Sequence, residues 1–391
     1  MLNTPFSPWP SFSEEEIAAV SRVLQSGKVN YWTGTEGREF EKEFARFTDS
    51  RYAVAVSNGT VALDLALHAL GIGFGDEVIV TSRTFLASVS SIVLAGATPV
   101  FADVDRDSQN ITAYTIKPLL SDKTKAIVCV HLAGWPCDMD PILELAREHE
   151  VSIIEDCAQA HGARYKGKSV GSLGDIAAWS FCQDKIMTTG GEGGMVTTNR
   201  KDLWQKVWSY KDHGKSWEAV YERNLPPGFR WLHESFGTNM RMTEMQAAIG
   251  RIQLIRMPEW RQRRQYASKS INEVASSYSS IRTPKPGYDI EHACYKHYLF
   301  IEPNNLKKGW DRDRIISELV NMGVPCYQGS CSEVYLEACF EGTGFRPEER
   351  LPVARELAET SLMFLVHPTL NNDEIAQTCK ALKWVFDKAS L

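Results

Sequence analysis

A single lysine, Lys185, stands between an apolar run and a cluster of glycines in the stretch "WSFCQDKIMTTGGEGGMV", residues 179–196. A lysine amine with its ordinary pKa of about 10.4 is a poor nucleophile at neutral pH. Burial or a neighbouring cation lowers that pKa and lets the amine form an imine with an aldehyde. The glycines that follow let the backbone pass close to a bulky planar group. The stretch therefore indicates a lysine that carries a cofactor, with a surface lysine in a glycine-rich loop as the alternative.

An acidic residue, Asp156, ends the apolar run of "IIEDCAQAHGA", residues 153–163. A carboxylate at the end of a buried strand costs desolvation free energy unless it is paired. One suitable partner is the protonated nitrogen of a heteroaromatic ring such as a pyridinium. Aspartate is also a good N-cap for a following turn. The sequence leaves both roles open for Asp156.

A site for an anion is predicted in "VSNGTVAL", residues 56–63, which runs from a predicted strand through Asn58 and Gly59 into a helix that begins near Thr60. This geometry directs backbone N–H groups and a helix N-terminus at whatever lies above the sheet. A glycine allows the backbone to approach a phosphate closely. An ordinary strand-to-helix turn has the same pattern, and so the motif alone is not specific.

Two further motifs supply side chains that could contact a flat, charged ligand. Phe85 in "TSRTFLAS" (81–88) follows a predicted strand, where its ring could stack on a cofactor or pack into a core. Asn239 and Arg241 in "ESFGTNMRMTEMQAAIG" (234–250) precede a long predicted helix. An arginine is well shaped to hold a carboxylate with two hydrogen bonds.

These features occur in one order, at the ends of predicted strands. In an open α/β sheet, ligands bind outside the carboxyl ends of the strands. A phosphate cradle, an acid, an aromatic ring, a serine (Ser180, five residues before the lysine) and Lys185 together fit a phosphorylated, planar, nitrogen-containing aldehyde. Pyridoxal 5′-phosphate (PLP) meets each requirement. No metal is predicted, because the nine cysteines form no CxxC pair and no zinc-type spacing.

Composition excludes several other classes of protein. The chain has 391 residues, of which 43% are hydrophobic and 24% charged, as in ordinary globular proteins with large cores. A net charge of −6 argues against a general nucleic-acid binder. No apolar run approaches the ~18–20 residues of a membrane span, and the N-terminus "MLNTPFSPWPSFSEEE" lacks the pattern of a secretory signal. Reduced cysteines in a cytoplasmic protein are the simplest interpretation.

Short apolar runs alternate with helical patterns over the first 200 residues or so. The runs are continuous rather than alternating, as expected for strands that are covered on both faces. Strand–helix alternation predicts an α/β domain with a mostly parallel central sheet flanked by helices. The predicted strands are residues 52–57, 77–81, 98–104, 125–132, 151–157 and 176–182, and helical spacing is clearest in "TVALDLALHALGI" and "DPILELAREHE".

The remainder of the chain has a different pattern. A long helical stretch with a basic face, interpreted as a solvated surface, begins near Thr243, and "RTPKPGYD" (282–289) ends the pattern with two prolines. A strand "HYLFI" (297–301), a helix "RDRIISELVNMG" (312–323) and a C-terminal helix with Asn and Asp caps follow. We expect a large domain over residues 1–265 and a smaller C-terminal α+β domain over residues 266–391.

The chain resembles the sugar aminotransferases of the DegT/StrS type, a branch of the fold-type I, aspartate-aminotransferase-like PLP enzymes. The resemblance covers essentially the whole chain and is carried, in order, by "NGTVAL", "GDEVIVTSRTFLAS", "PVFADVD", "DMDPI", "IIEDCAQAHGA", "SFCQDK", "GGEGGMVTTN", "GTNMRMTEMQAAIGRIQL" and "LPVARELAE". It implies a cytoplasmic PLP-dependent transaminase that moves an amino group from L-glutamate to a nucleotide-linked keto sugar for amino-sugar or surface-polysaccharide biosynthesis.

The resemblance also implies roles around the cofactor ring. Lys185 would form the imine with the cofactor and act as the base, and Asp156 would pair with the pyridine nitrogen. Gln159 would contact the ring hydroxyl, and Phe85 would lie against the ring face.

At the phosphate and the substrate, the resemblance implies a site shared between two subunits. Gly59, Thr60 and Ser180 would bind the phosphate, and Asn239 would reach the same phosphate from the neighbouring subunit of a homodimer. Arg241 would hold the carboxylate of the amino donor. No nucleic acid or membrane is expected as a partner.

Two segments depart from the family pattern. The late motif, usually a tyrosine–proline–leucine–histidine stretch after "GV", reads "GVPCYQGSCSEVYLE" here, and the segment 210–236 is rather long. Both are expected around the sugar. A dehydratase branch of the family carries histidine in place of the lysine, and so Lys185 favours amino transfer. The alternatives are a PLP-dependent dehydratase or epimerase, and a non-catalytic PLP-binding sensor on the same fold.

Overall fold

The fold was analysed in a computed structural model that describes residues 6–224 and 230–391. Two predictions from the sequence fall partly outside these residues. They are the absence of a signal over the first sixteen residues and the role of the long segment 210–236.

The strands of the described residues include every predicted strand and several that the sequence did not predict. They are β1 (Tyr52–Val56), β2 (Glu77–Thr81), β3 (Thr98–Ala102), β4 (Thr124–Val130), β5 (Ser152–Asp156), β6 (Arg164–Tyr165), β7 (Lys168–Ser169), β8 (Ile176–Ser180), β9 (Gly194–Thr198), β10 (Ile281–Arg282), β11 (Ile290–Glu291), β12 (His297–Ile301), β13 (Cys326–Tyr327) and β14 (Ser361–Phe364).

Helices connect most of these strands. They are α1 (Glu14–Ser26), α2 (Glu36–Phe47), α3 (Gly59–Leu70), α4 (Ala87–Leu94), α5 (Ala113–Ile116), α6 (Met139–Glu148), α7 (Lys201–Tyr210), α8 (Trp217–Tyr221), α9 (Glu244–Ala275), α10 (Arg312–Asn321), α11 (Pro352–Thr360) and α12 (Asn372–Ala389). Short 3₁₀ turns cover Lys117–Leu119, Leu132–Gly134, Pro303–Asn305, Val334–Leu336 and Ala338–Phe340.

Seven strands form the central sheet in the order β1-β9-β8-β5-β4-β2-β3. Its pairs are parallel except those of β9, which runs antiparallel to both β1 and β8. The six predicted strands and the mostly parallel α/β sheet are confirmed. The sequence pattern missed β9, because "GGMVTTN" follows a glycine-rich loop and has only a short apolar run.

Both faces of this sheet are buried, as the continuous apolar runs predict. Neighbouring residues of β4 show the arrangement, because Val128 belongs to one apolar cluster and Ile127 to another. Side chains of α3, α4 and α7 complete the first cluster, and side chains of α6 contribute to the second. The sheet is therefore a rigid layer whose strand ends can hold a site.

The C-terminal part has its own four-stranded sheet, in the order β10-β12-β14-β13, with α10 and α12 packed in its apolar core. A smaller sheet pairs β11, β6 and β7. The predicted boundary at residues 265 and 266 falls inside α9, which is one continuous helix of 32 residues. The exact division into two domains stays a prediction.

The arginines of α9 were interpreted from the sequence as a solvated face of the helix, but several of them contact other elements. Arg251 pairs with Glu36 and Glu43 of α2, and Arg256 pairs with Glu16 of α1. Arg264 is only 1% exposed. The interpretation is wrong for Arg264, since the helix is covered on more than one side by elements that are distant in sequence.

Among the described residues, no helix is both long and apolar enough to cross a membrane. All nine cysteines are free thiols.

Candidate active site

The carboxyl ends of β5 and β8 bring two of the predicted site residues together. The strands are parallel, with Asp156 opposite Ala178, so that Ser180 lies one pleat further along the same edge. Lys185 follows in the loop after β8, where its amide N–H donates to the carbonyl of Cys182 at 3.1 Å. The sheet thus places Asp156, Ser180 and Lys185 at one edge.

The N-terminus of α3 lies directly against the end of β8. A Cβ atom on Gly59 would come within 2.5 Å of the Ser180 Cβ, and one on Gly194 would come within 2.3 Å of the Asn58 carbonyl oxygen. Only glycine fits at either position. The Asn58 side chain caps the helix by accepting from the Val61 N–H at 2.9 Å. The predicted phosphate residues Gly59, Thr60 and Ser180 are therefore neighbours, with Thr60 exposed at the helix start.

Asp156 is buried and held by hydrogen bonds to both oxygens. The Ser88 hydroxyl, from α4, donates to Oδ2 at 2.7 Å, and the Ala158 N–H donates to Oδ1 at 3.1 Å. Ser88 is itself 2.8 Å from the Thr84 hydroxyl. Asp156 thus caps the following turn through Oδ1, while Oδ2 is oriented by the Ser88 hydroxyl, which is itself held by Thr84.

Gln159 is anchored to the end of β4 by its side-chain oxygen, which accepts the Ala133 N–H at 2.8 Å. Gly134, with a φ of 92°, lies so close to the chain that a Cβ there would meet the Ala293 Cβ at 2.9 Å. This close approach fastens the segment from Ala293 to Tyr295 against Gln159. Residues of the C-terminal part thereby reach the edge of the central sheet.

Lys185 has a side chain that is 15% exposed. Its Nζ lies 4.0 Å from Asp184 Oδ1 and 5.3 Å from the centre of the Tyr295 ring. The Tyr295 hydroxyl donates to Asp184 Oδ2. The Trp9 indole N–H donates to the backbone carbonyl of Lys185 at 2.8 Å, which fixes the loop from the N-terminal side.

Phe85 is a large aromatic side chain that is 69% exposed, three residues before Ser88. Burying such a ring is favourable, and an exposed ring at a cleft is typical of a surface that is covered by a ligand or another chain. Its place beside the Asp156–Ser88 hydrogen bond is consistent with the predicted stacking role, which stays a prediction.

Asn239 and Arg241 lie on a segment that pairs with the end of β1. Asn239 is exposed, and within residues 6–224 and 230–391 its side chain accepts only a long bond, 3.4 Å, from the Arg241 N–H. The Arg241 guanidinium donates to Asp212 at 2.7 Å, and Lys215 also pairs with this fully buried aspartate. Within this chain Arg241 therefore has a carboxylate partner already. Its predicted contact with the amino donor stays a prediction.

The residues at the strand ends fit PLP as a group. Gly59 and Ser180 leave a helix N-terminus open for a phosphate, and Asp156 offers a fixed carboxylate for a protonated ring nitrogen. Lys185 has no hydrogen-bond acceptor for its amine among the described residues, although Asp184 is near. PLP is thus the cofactor that these donors and acceptors suit.

A buried histidine–glutamate pair braces the strands behind Asp156. His131 Nδ1 accepts the Cys137 N–H at 3.0 Å, and so its hydrogen is on Nε2, which lies 3.0 Å from Glu155. Glu155 also accepts three backbone N–H groups, those of residues 171, 173 and 174, at 2.8–2.9 Å. Although His131, Glu155 and Cys157 are close enough for a metal, these bonds already use the lone pairs of Glu155 and of His131.

We predict that Glu155→Gln destabilises the protein, although Glu155 is not among the residues that would contact the cofactor. An amide NH₂ would face N–H donors, which leaves buried groups unpaired and lowers the free energy of unfolding by about 3 kcal/mol. Burial alone favours the neutral acid, but His131 and the backbone N–H groups hold the pKa of Glu155 below its usual value. The stabilisation from ionised Glu155 is therefore present above the pKa that Glu155 has in the unfolded chain. It is lost as the pH falls through the lower pKa of Glu155 in the folded protein.

Urea unfolding at pH 7 and in acid measures this effect. Exposed Glu144, on α6, gives the control variant Glu144→Gln, which should change stability by less than about 0.5 kcal/mol. Equal midpoints for the two variants would show that the Glu155 network contributes nothing.

Several residues of this site were missed from the sequence. Ser88 was within a motif considered for Phe85 alone, and Asp184 stood next to the predicted lysine. Tyr295 had no local signal, because its contact with Asp184 spans 111 residues. Strand-end position could have identified Ser88, whereas only the fold identifies Tyr295.

Comparison with known proteins gives one consistent result. The sequence model of the DegT/DnrJ/EryC1/StrS aminotransferase family matches residues 10–383. GDP-perosamine synthase of Escherichia coli O157:H7 is 35% identical over 381 residues, which cover 95% of this chain and 96% of that protein. The spore coat polysaccharide biosynthesis protein SpsC of Bacillus subtilis (strain 168) is 34% identical over 379 residues, 96% of this chain and 95% of that protein.

Solved structures agree with the sequence matches. An aminotransferase from Psychrobacter cryohalolentis superimposes with a TM-score of 0.97 at 62% identity, covering 98% of this chain and 99% of that one. The likeness extends over both the central sheet and the C-terminal part.

Proposed function

The chain belongs to the DegT/DnrJ/EryC1/StrS aminotransferase family, and from that membership we propose that it moves the amino group of L-glutamate to a keto sugar linked to a nucleotide. It is a PLP-dependent sugar aminotransferase of the fold-type I class. The proposal of a nucleotide-linked sugar is supported by the name of the GDP-perosamine synthase relative. The spore coat relative supports a product used in polysaccharide biosynthesis.

The observation that carries this proposal is the convergence of Lys185, Asp156 and the Gly59–Ser180 contact at one sheet edge. PLP, when bound, serves as an electron sink for a carbanion at the substrate carbon. Lys185 would take the proton from that carbon and return it. Asp156, oriented by Ser88, would offer its carboxylate to a protonated ring nitrogen. The α3 N-terminus holds the phosphate.

A product assay tests the proposal. Purified holoenzyme is incubated with L-glutamate and a panel of keto-sugar nucleotides, and mass spectrometry measures the aminated sugar and 2-oxoglutarate in equal amounts. The Lys185→Ala protein is the control. A dehydratase or epimerase would change the sugar without glutamate, and a non-catalytic sensor would yield neither product. Either result would contradict amino transfer.

We also propose a homodimer in which Asn239 of one subunit completes the phosphate site of the other. A phosphate with about −1.5 to −2 charges needs more donors than one loop supplies. The proposal is supported by the exposure of Asn239, whose side chain makes only a long bond to the described residues of its own chain. A two-fold dimer would then have two composite sites. The free cysteines suit a reducing compartment, which supports a cytoplasmic location.

Mixing two inactive variants tests the shared site. In a heterodimer of Lys185→Ala and Asn239→Ala subunits, one composite site receives both lesions and the other receives neither. Activity should therefore exceed that of either variant alone and approach half of the wild-type value per heterodimer. If Asn239 serves its own chain, each site keeps one lesion and mixing restores nothing. A monomeric active enzyme in sedimentation would also refute the shared site.

A further inference from the structure

A second lysine, Lys296, lies close to the same tyrosine ring as Lys185. The Nζ of Lys296 is 4.7 Å from the centre of the Tyr295 ring, and the Nζ of Lys185 is 5.3 Å from the same centre. The two amines are therefore no more than about 10 Å apart. Since the Tyr295 hydroxyl donates to Asp184, the residue before Lys185, this ring links both lysines to one point of the site.

The backbone around Lys296 is fixed to residues that contact the cofactor pocket. The Tyr295 N–H donates to the Ala133 carbonyl at 2.9 Å, and the Ala133 N–H donates to the Gln159 side chain at 2.8 Å. On its other side, the buried Arg264 donates to the Tyr295 carbonyl at 3.2 Å. The backbone before Lys296 is therefore held in place near Gln159 by hydrogen bonds on both sides.

Lys296 is a cation without an anionic partner. Within residues 6–224 and 230–391, no carboxylate lies within 4.0 Å of its amine and no acceptor hydrogen-bonds it, whereas Arg241 is paired with Asp212 and Lys211 with Glu41. Burial, with Arg264 and Lys185, lowers the pKa of Lys296 to about 8 against the opposing effect of Asp184. At neutral pH it is still mainly protonated. A partly buried charge of this kind is costly unless a ligand pairs with it.

We propose that Lys296 binds a carboxylate of the amino-acid donor, next to the point where the donor's amine reacts at Lys185. This inference rests on the proposed transaminase function and adds the residue that recognises the donor. The α-carboxylate of an amino acid is bonded to the same carbon as the reacting amine, and so it must lie close to Lys185. The diphosphate of a nucleotide sugar is separated from the reacting carbonyl by the sugar ring, which favours the donor as the ligand.

Binding of glutarate tests this proposal without turnover, because this dicarboxylate has no amino group. Calorimetric titration of the PLP-loaded enzyme should give a Kd about 10- to 100-fold higher for Lys296→Met than for wild type, the usual effect of losing a hydrogen bond to a charged group. Lys296→Arg should recover part of the affinity. Exposed Lys383, on α12, gives the control variant Lys383→Met, which should bind as the wild type does.

The donor half-reaction supplies a second measurement. When the bleaching of the visible band by L-glutamate is followed in a stopped-flow experiment, Lys296→Met should raise the glutamate concentration for half-maximal rate by about the same factor. The rate at saturation should change only a few-fold, because Lys185 and Asp156 are intact. A 10- to 100-fold lower rate at saturating glutamate, with no change in the glutamate concentration for half-maximal rate, would contradict a binding role for Lys296.

The pH dependence follows from the charge of Lys296. The wild-type Kd for glutarate should rise above about pH 8 as Lys296 loses its proton, whereas Lys296→Arg should stay flat there. Burial raises the pKa of Tyr295 well above 10 and lowers that of His367 to about 3, so that neither changes charge in this range. The ionisable groups that face Lys296 are Asp184, Lys185, Arg264, Tyr295 and His367.

Titrations with UDP, GDP and dTDP separate the donor from the acceptor. If Lys296→Met weakens nucleoside diphosphate binding and leaves glutarate binding unchanged, the lysine serves the acceptor and the proposal fails. Equal weakening of both, or a glutarate Kd equal to that of Lys383→Met, also overturns it. The product assay with wild-type enzyme is independent of these results, and so the proposed function can stand when the role of Lys296 does not.

Discussion

Lys185→Ala is expected to lower kcat/KM by at least about 10⁴-fold, since the loss of a general base alone costs up to that factor. The wild-type protein should be yellow, and L-glutamate should bleach the visible band. The variant should still bind PLP through Gly59, Ser180 and Asp156, but without the absorption of the lysine-bound cofactor. Absorption spectra and single-turnover rates measure both effects.

Lys201 begins α7 on the exposed surface and gives a matched control, Lys201→Ala, which should keep both colour and rate. Lys296 is the other amine near the Tyr295 ring. The Lys185→Ala variant therefore also tests whether Lys296 can take over the role of Lys185. A wild-type protein that stays colourless after PLP is added would contradict the role of Lys185. So would a yellow Lys185→Ala protein with normal turnover.

Asp156→Asn is expected to slow both half-reactions by about 10³-fold while most PLP binding is kept, since removing one charge-stabilising group commonly costs 10²- to 10³-fold. The amide keeps the size of the side chain and the contact with the Ala158 N–H, but it removes the charge that favours a protonated ring nitrogen. Single-turnover rates with L-glutamate, and with the sugar product in the reverse direction, measure the effect.

Ser88→Ala provides a graded comparison for this prediction. It removes the 2.7 Å hydrogen bond to Asp156 and leaves the charge in place, so that a loss of about 10-fold is expected. If Asp156→Asn has near wild-type rates, the residue is only a cap of the turn that begins at Ala158. If Ser88→Ala has the larger effect, orientation of the carboxylate matters more than its charge.

Local sequence was sufficient for six of the seven strands of the central sheet and for the residues at their ends. Runs such as "VSIIEDC" bury every residue except the half-buried Ser152, because parallel strands have apolar layers on both faces, and this leaves a continuous pattern. Since ligands bind at the carboxyl ends of such strands, the residues after each run, Asp156 and Lys185 among them, could be identified before their distances were known. The motif order also identified the family, which the comparisons confirm.

Residues that contact the site across long stretches of chain could not be found in this way. Tyr295 and Lys296 lie on a segment whose pattern predicts only the start of a strand. Their position beside Lys185 depends on the close approach of Gly134 to Ala293. A similar limit applied to Arg264, whose helix looked solvated because the elements that cover it come from elsewhere in the chain.

The sequence by itself thus determined the α/β sheet and the cofactor, and it predicted Lys185 and Asp156 as the residues that hold the cofactor. Periodicity and strand-end chemistry are local properties, and each of these features depends on a few neighbouring residues. Only the tertiary structure decided which charges are already paired. Arg241 is bound to Asp212, whereas Lys296 has no carboxylate within 4.0 Å of its amine among residues 6–224 and 230–391 and lies only against the Tyr295 ring. The energy of a buried charge depends on what surrounds it in space, and that surrounding is assembled from residues far apart in the chain.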